Sequence, residues 1–379
     1  MTTDLTDRTS TTEMSPRHAP RWMAVAAVAA LGLVAGACSS SSKTTTPTTN
    51  SGGPATTTVK LASATLNGDG SSFQAVFDQE AAQEFESLHS GITINYPGNG
   101  STTGVTDLQK GLVNFAGTDL PITDISGITI DPTTILYFPT VVAPITISYN
   151  LSGVSKTLDF SGTTLAKIFA GTITNWNDPA IAKDNPGVTL PNEKIVPVHR
   201  SDGSGTTRNF TLYLSKVDPT DWTAPPSPTF PNNLGTAAAK NAGVASAIES
   251  TSGAIGYVDY ATATSAGLKY GEVLNYAGKP IAATLAGAAT AAAAATVNAD
   301  LTYDPTNAQV ADAYPITAPT WIVVYKTQTS AATGDALKAF LSFIYSTGQT
   351  HVAGATGYAP LGGALLAKAQ AQLSDLVVP

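Results

Sequence analysis

Arg200-Ser201-Asp202-Gly203-Ser204-Gly205-Thr206-Thr207 gathers a guanidinium, a carboxylate, hydroxyls and two glycines into eight positions. The glycines let the backbone turn tightly and expose successive N–H groups. The hydroxyls add donors, and arginine offers a fork shaped for a tetrahedral oxyanion. The segment that follows, Asn209 to Lys216, reads as a helix. A loop opening a helix is a ready anion site, because helix N-termini carry unpaired N–H groups and a positive dipole end. Taken alone, the octet reads equally as a polar surface turn capping that helix, since Gly/Ser/Asp clusters commonly mark loops.

Two further clusters tip the balance. Gly68-Asp69-Gly70-Ser71-Ser72-Phe73 follows a strand candidate at Val59 to Leu66 and precedes a helical pattern of apolar Phe73, Val76, Phe77, Ala81, Phe85 and Leu88. Gly98-Asn99-Gly100-Ser101-Thr102-Thr103-Gly104 follows an alternating strand, Ile92 to Tyr96, and opens a helix through Val105 and Leu108. Each strand–(Gly/Ser)–helix junction aims donors beyond a strand end, where open α/β sheets bind ligands. None matches G-x-x-x-x-G-K-[ST] and none contains lysine, which argues against a nucleotide-hydrolysing P-loop. The constellation favours binding an anion over turning it over.

At the N-terminus, Arg17 and Arg21 precede an uncharged run, Trp22 to Ala37, that ends in Ala35-Gly36-Ala37-Cys38. The run is short for a membrane span and has the shape of a secretory signal h-region. Small residues before Cys38, the single cysteine of the chain, resemble a bacterial lipoprotein signal in which that cysteine is acylated. Residues 1–37 are thus expected to be a lipoprotein signal peptide, with Cys38 lipidated on the outer face of the cell membrane. A conventionally cleaved secreted protein and an uncleaved anchor are the other readings. Residues 38–60 are rich in Ser, Thr, Pro and Gly and are expected to form a tether. With one cysteine, no intrachain disulfide and no cysteine-rich zinc site is available.

About 320 residues remain, more than one hydrophobic core usually serves, so two domains are expected. The net charge of −8 persists beyond residue 37, because residues 1–37 hold three basic and three acidic groups. Such an acidic chain is a poor candidate for nucleic acid. It need not repel a small anion, since short-range donors in a dry cleft outweigh a diffuse charge screened beyond about 8–10 Å.

In this order the motifs resemble the substrate-binding protein of the bacterial phosphate-specific ABC transporter. The resemblance rests on G-D-G-S-S-F, Y-P-G-N-G-S-T-T-G, F-A-G-T-D-L-P-I-T (Phe115 to Thr123) and R-S-D-G-S-G-T, and runs from about Thr65 to the C-terminus. It implies phosphate ligands at Ser72, Phe73 (backbone N–H), Ser101, Asp119, Arg200, Ser204, Gly205 and Thr206, with Asp202 holding Arg200 in place. Gln74 stands where relatives commonly have proline, and Thr102-Thr103 where they have Ser-Gly. The implied architecture is the type II periplasmic-binding-protein fold, an α/β fold of two lobes joined by two crossover strands. Lobe one is expected at 61–141 plus 315–379 and lobe two at 142–314. Extended, Pro-containing segments, Tyr137 to Val142 and Tyr314 to Thr317, suit the crossings. The implied partners are inorganic phosphate and an ABC permease with a cytoplasmic ATPase. No cofactor or metal is implied, and a monomer is expected.

Asp119 carries the specificity argument. An ionised carboxylate only accepts hydrogen bonds, so it can take a proton-mediated bond from phosphate, whereas fully ionised sulfate has no proton to give. Its other reading is a turn or N-cap residue before Pro121. Arg200 alone would be a surface ion pair with Asp202. His18, His89, His199 and His351 lack metal-ligand spacing, and His199 is expected to be a wall residue. Trp176 and Trp321 sit in apolar runs and are expected in the core, while Trp222, in the Pro219 to Pro231 loop, has no assigned role. The run Ala282 to Ala295 reads as a helix or as a low-complexity loop. Two competing functions stay open: a phosphate-binding surface antigen, adhesin or sensor, and a phosphatase. The absence of G-x-S-x-G and of a visible metal cluster weighs against the latter.

Overall fold

The computed structural model describes residues 60–379; the signal-peptide region, Cys38 and the tether up to Val59 lie outside the described residues. Strand β1 (Ala64–Gly70) leads into α1 (Ala75–Leu88), and β2 (Ile92–Asn95) into α2 (Ser101–Gln109). β3 (Phe115–Thr118) ends at the loop bearing Asp119, and β4 (Ile135–Asn150) runs for 16 residues. After β5 (Asp159–Phe160), α3 (Gly162–Ala170) and α4 (Pro179–Asp184), β6 (Val196–Arg200) delivers the octet to α5 (Gly205–Val217). β7 (Thr236–Ala238) feeds α6 (Lys240–Ser250), and β8 (Ala254–Asp259) feeds α7 (Tyr260–Ser265). β9 (Lys269–Leu274), β10 (Pro280–Ile281), α8 (Leu285–Ala294) and β11 (Thr317–Tyr325) follow. The chain closes with α9 (Ala331–Phe343), a π-helical stretch (Ile344–Val352), α10 (Ala353–Ala355) and α11 (Gly363–Gln372).

Hydrogen bonding orders the strands β2-β1-β3-β11-β4-β8-β6-β7, with β9 pairing β4, β5 and β10 off that path. β1 is parallel to β2 and β3, and β6 is parallel to β7 and β8. Parallel neighbours need crossover connections, and helices supply them in both halves. β4 joins the halves by changing partner. Ile135 to Pro144 run antiparallel to β11, and Ile145 to Asn150 antiparallel to β8. The return connection runs beside it: the Ile145 N–H donates to the Ile316 carbonyl at 2.7 Å, and the Tyr314 hydroxyl to the Ile145 carbonyl at 3.0 Å. Two α/β lobes bridged by two such strands make the type II periplasmic-binding-protein fold.

Packing explains where local reading goes astray. β1 extends to Gly70, past the expected end at Leu66, because Gly68 and Gly70 pair with Phe115 and Gly117 of β3. A side chain at Gly68 would overlap the Phe115 ring, so the glycine serves close approach rather than a turn. In α1 the core stripe is Phe77, Ala81 and Phe85 at four-residue spacing, and Val76 and Leu88 fall off it and are exposed. α5 begins at Gly205, earlier than Asn209. The alanine-rich run is a helix over Leu285–Ala294. Gly287, Ala288 and Ala291 are buried on it, and Ala288 packs with Val142 of β4 and Ala359. Trp176 and Trp321 lie in the core, their indole N–H groups donating to the Gly253 and Leu301 carbonyls at 3.0 Å each.

Candidate functional site

Asp69, at the end of β1, binds the first glycine loop to the second. Its carboxylate accepts the Gly70 N–H (2.7 Å), the Asn99 N–H (2.8 Å) and the Asn99 Nδ2 (2.8 Å). Gly100 then turns with φ of 106°, and a Cβ there would sit 2.7 Å from Asp202 Oδ2. That turn sets Ser101 as the first residue of α2, where its hydroxyl donates to Asp119 Oδ1 at 2.5 Å. Asp119 follows β3 and is 1 % exposed. Burial pushes its pKa above the ordinary carboxylate value; hydrogen bonds from Ser101 and Ser71 and the charge of Arg200 oppose the rise without cancelling it.

From the other lobe, β6 delivers Arg200, which is buried. Asp202 engages it bidentately: Nε donates to Oδ1 at 2.8 Å and Nη2 to Oδ2. The pair lies in a partly buried setting that alone would raise the Asp202 pKa, yet the bonds and charge of Arg200 hold it below the ordinary value. With one edge of the guanidinium committed, Nη1 turns to Thr206 Oγ1 at 3.4 Å. Tyr257 supports the same turn, its hydroxyl accepting the Arg200 N–H at 3.2 Å and lying 2.8 Å from Thr207 Oγ1. Ser204 caps α5, its Oγ accepting the Thr207 N–H at 3.2 Å.

The two sides meet at Asp119. Gly205 N–H donates to Ser101 Oγ at 3.3 Å, and Thr206 Oγ1 to Asp119 Oδ2 at 3.4 Å. Asn209, one turn into α5, donates Nδ2 to the Asp119 carbonyl at 2.5 Å. A Cβ at Gly205 would overlap the Asp119 carboxyl, so only glycine permits this approach. At the rim, Arg208 pairs with Asp124 at 2.7 Å.

Ser101, Asp119, Arg200, Gly205 and Thr206 are thus brought together, and Ser72 joins through Asn241, whose N–H lies 3.3 Å from Ser72 Oγ. Two expected ligands sit differently. The Phe73 N–H donates to Ser71 Oγ at 3.0 Å, and the Ser204 hydroxyl is the α5 cap described above. His199 is a wall residue, its ring stacked on Phe230 at 4.3 Å. The Pro-rich loop gains a role the sequence left blank: the Pro228 carbonyl accepts the Ser204 N–H at 2.9 Å, and Trp222 is buried beneath it. Lys240, Asn241 and Asn209 escaped the sequence reading. The β7–α6 junction, Ala237-Ala238-Ala239-Lys240-Asn241, carries no Gly/Ser signature to mark it.

Chemically this is a cluster of hydroxyl, N–H and guanidinium donors around the buried Asp119 carboxylate. Donors suit an oxyanion, and the lone carboxylate suits one that still holds a proton. Among the described residues no group of three or more His, Cys, Asp and Glu side chains could hold a metal ion.

The family model for the PBP superfamily domain matches residues 45–347. The chain is 34% identical over 307 residues to phosphate-binding protein PstS 3 of Mycobacterium tuberculosis, spanning 78% of this chain and 82% of that one. It is also 34% identical over 307 residues to phosphate-binding protein PstS of Xylella fastidiosa, spanning 79% and 82%. Among solved structures, the periplasmic phosphate-binding protein PfluDING superposes with a TM-score of 0.66 at 23% identity, covering 82% of this chain and 94% of that one. A phosphate-binding protein of Stenotrophomonas maltophilia gives 0.61 at 22% identity, with coverage of 82% and 94%. At those identities the structures speak for the fold, while the sequence relatives speak for kinship. The chain belongs to the PstS family of phosphate-binding proteins.

Proposed function

We propose that this protein binds inorganic phosphate between its lobes outside the cytoplasm and delivers it to an ABC permease, whose separate ATPase subunits supply the energy. The observation that carries the reading is Asp119, a buried carboxylate set among the donors of Ser101, Gly205, Thr206 and Arg200. Such a site accepts a proton from phosphate and faces sulfate with opposed lone pairs. Ser72, the Phe73 backbone N–H and the Ser204 hydroxyl complete the ligand set on this reading: the Phe73 N–H exchanges Ser71 Oγ for the anion, and the Ser204 hydroxyl, which caps α5 with a lone pair, still has its proton to give. The proposed lobes are 61–141 plus 315–379 and 142–314; the partner change of β4 supports a division in this region, with the change itself after Pro144.

The protein catalyses nothing in this reading. Ser204 serves as a helix cap, and the nearby His199 has Nδ1 on the Arg200 carbonyl at 3.0 Å rather than on a nucleophile. Acylation at Cys38 and a monomeric state remain part of the proposal, with the pattern Ala35-Gly36-Ala37-Cys38 supporting the former. Titration calorimetry of the ligand-stripped protein tests the core claim. Tight phosphate binding with negligible sulfate binding is expected, and Arg200→Ala should abolish most of it. Equal binding of both anions would overturn the role given to Asp119.

A further inference from the structure

The β7–α6 junction reaches the cleft without the sequence signature of the others. Lys240 opens α6 with φ of 60°, a left-handed conformation uncommon for a residue with a side chain. There its N–H donates to Asp202 Oδ1 at 3.0 Å, and its ammonium crosses to Asn99 Oδ1 at 2.9 Å. Asn241 follows and is 1 % exposed. Its N–H and Nδ2 donate to Ser72 Oγ at 3.3 and 3.4 Å, and Nδ2 also reaches Thr206 Oγ1 at 3.4 Å.

A hydroxyl oxygen has two acceptor positions and one proton. Ser72 Oγ accepts twice from Asn241, so its proton is what it has left to give. Thr206 Oγ1 accepts from Arg200 Nη1 and from Asn241 Nδ2, which likewise leaves it only its proton to give; that proton goes to Asp119 Oδ2 at 3.4 Å here and turns to the anion when one is bound. A free hydroxyl rotor has no such polarity and would present lone pairs to an anion as readily as its proton. We infer that Asn241 is a positioning residue that fixes Ser72 and Thr206 as donors toward the bound anion, one from each lobe. This rests on the phosphate reading of the cleft. Asn241 acts through the two hydroxyls, and Lys240 holds it there by tying the same helix end to Asp202 and Asn99.

The test is a mutant cycle read by calorimetry with inorganic phosphate. Asn241→Ala should weaken binding about tenfold or more in the otherwise unaltered protein, the scale of one lost buried hydrogen bond. In a Ser72→Ala/Thr206→Val background the same substitution should change Kd less than about twofold, because the groups it orients are gone. Asn241→Asp, which can only accept, should cost more than Asn241→Ala, because it draws the hydroxyl protons away from the ligand. Equal losses in both backgrounds, or an Asp variant no weaker than the Ala variant, would overturn the inference. Should Asn241→Ala fail to fold, Asn241→Leu, of similar volume, carries the same cycle. Failure of the unaltered protein to bind phosphate would sink the phosphate reading itself, and this inference with it.

Discussion

Replacing Asp119 by Asn exchanges the buried carboxylate at the centre of the cleft for an amide of the same shape. The Asn oxygen can keep the Ser101 hydroxyl bond now made to Oδ1 at 2.5 Å, while its Nδ2 takes the place of Oδ2 beside Thr206. Phosphate loses a charge-assisted acceptor, about 1.5–3 kcal/mol, or roughly 10- to 150-fold in Kd. Sulfate gains a donor where it met a carboxylate, and a site built on one such group discriminates by about 10⁴–10⁵. The sulfate-to-phosphate ratio of Kd values should therefore shrink by on the order of 10³ or more, read by calorimetry at pH 8. Stability supplies an independent check. Because burial raises the Asp119 pKa, its favourable contribution is complete below the unfolded value of about 3.9 and is lost as pH rises through the folded value. The variant should then melt above the parent at pH 8, with the gap closing toward pH 4. A variant that still rejects sulfate as strongly as the parent would refute the proton-acceptor argument, and one that melts lower at pH 8 would refute the electrostatic one.

Gly205→Ala should weaken phosphate binding at least tenfold by calorimetry with little change in melting temperature, because its Cβ meets the Asp119 carboxyl across the cleft rather than its own helix. Asp202→Asn should destabilise the fold by about 1.5–3 kcal/mol at pH 7 by removing charged partners of Arg200. Since the Asp202 pKa is depressed, denaturant titrations should show this difference present above the unfolded value and disappearing as pH falls through the folded one. Asp78, buried on α1 with Gln74 Nε2 at 2.7 Å, has its pKa pushed up to about 7 by burial. Asp78→Asn should stabilise the protein by up to about 4 kcal/mol at pH 9 and by almost nothing at pH 3, where both forms are neutral.

What could be read from the chain was what glycine and arginine cannot disguise. Gly100 and Gly205 stand where another residue would collide with the facing lobe, so the loops that build the cleft announced themselves. The extended character of the crossing segments was legible from their prolines, but not the point of crossing: Pro139 still pairs with Trp321 of β11, and β4 changes partner only after Pro144. Asn241 was not, because its position is set by a lysine held at positive φ and by contacts to residues 169 and 35 positions away. Asp78 was hidden for a different reason. A carboxylate next to Phe77 on an amphipathic helix looks solvated, and its burial follows from tertiary packing that local periodicity does not encode. Ser204 was legible as a hydroxyl in the octet, but its second task, capping α5 by accepting the Thr207 N–H, depends on where the helix begins.

The passage of β4 from one lobe to the other has a mechanical meaning. β4 and the segment entering β11 run side by side and are cross-linked, the Ile145 N–H donating to the Ile316 carbonyl at 2.7 Å and the Tyr314 hydroxyl to the Ile145 carbonyl at 3.0 Å. A paired ribbon of this kind resists folding at a point and yields to torsion along its length, so each residue contributes a few degrees. Opening of the cleft would then be spread over many small dihedral changes along the ribbon. In these terms the lobes are joined as two paddles on a torsion bar and not as two plates on a pin.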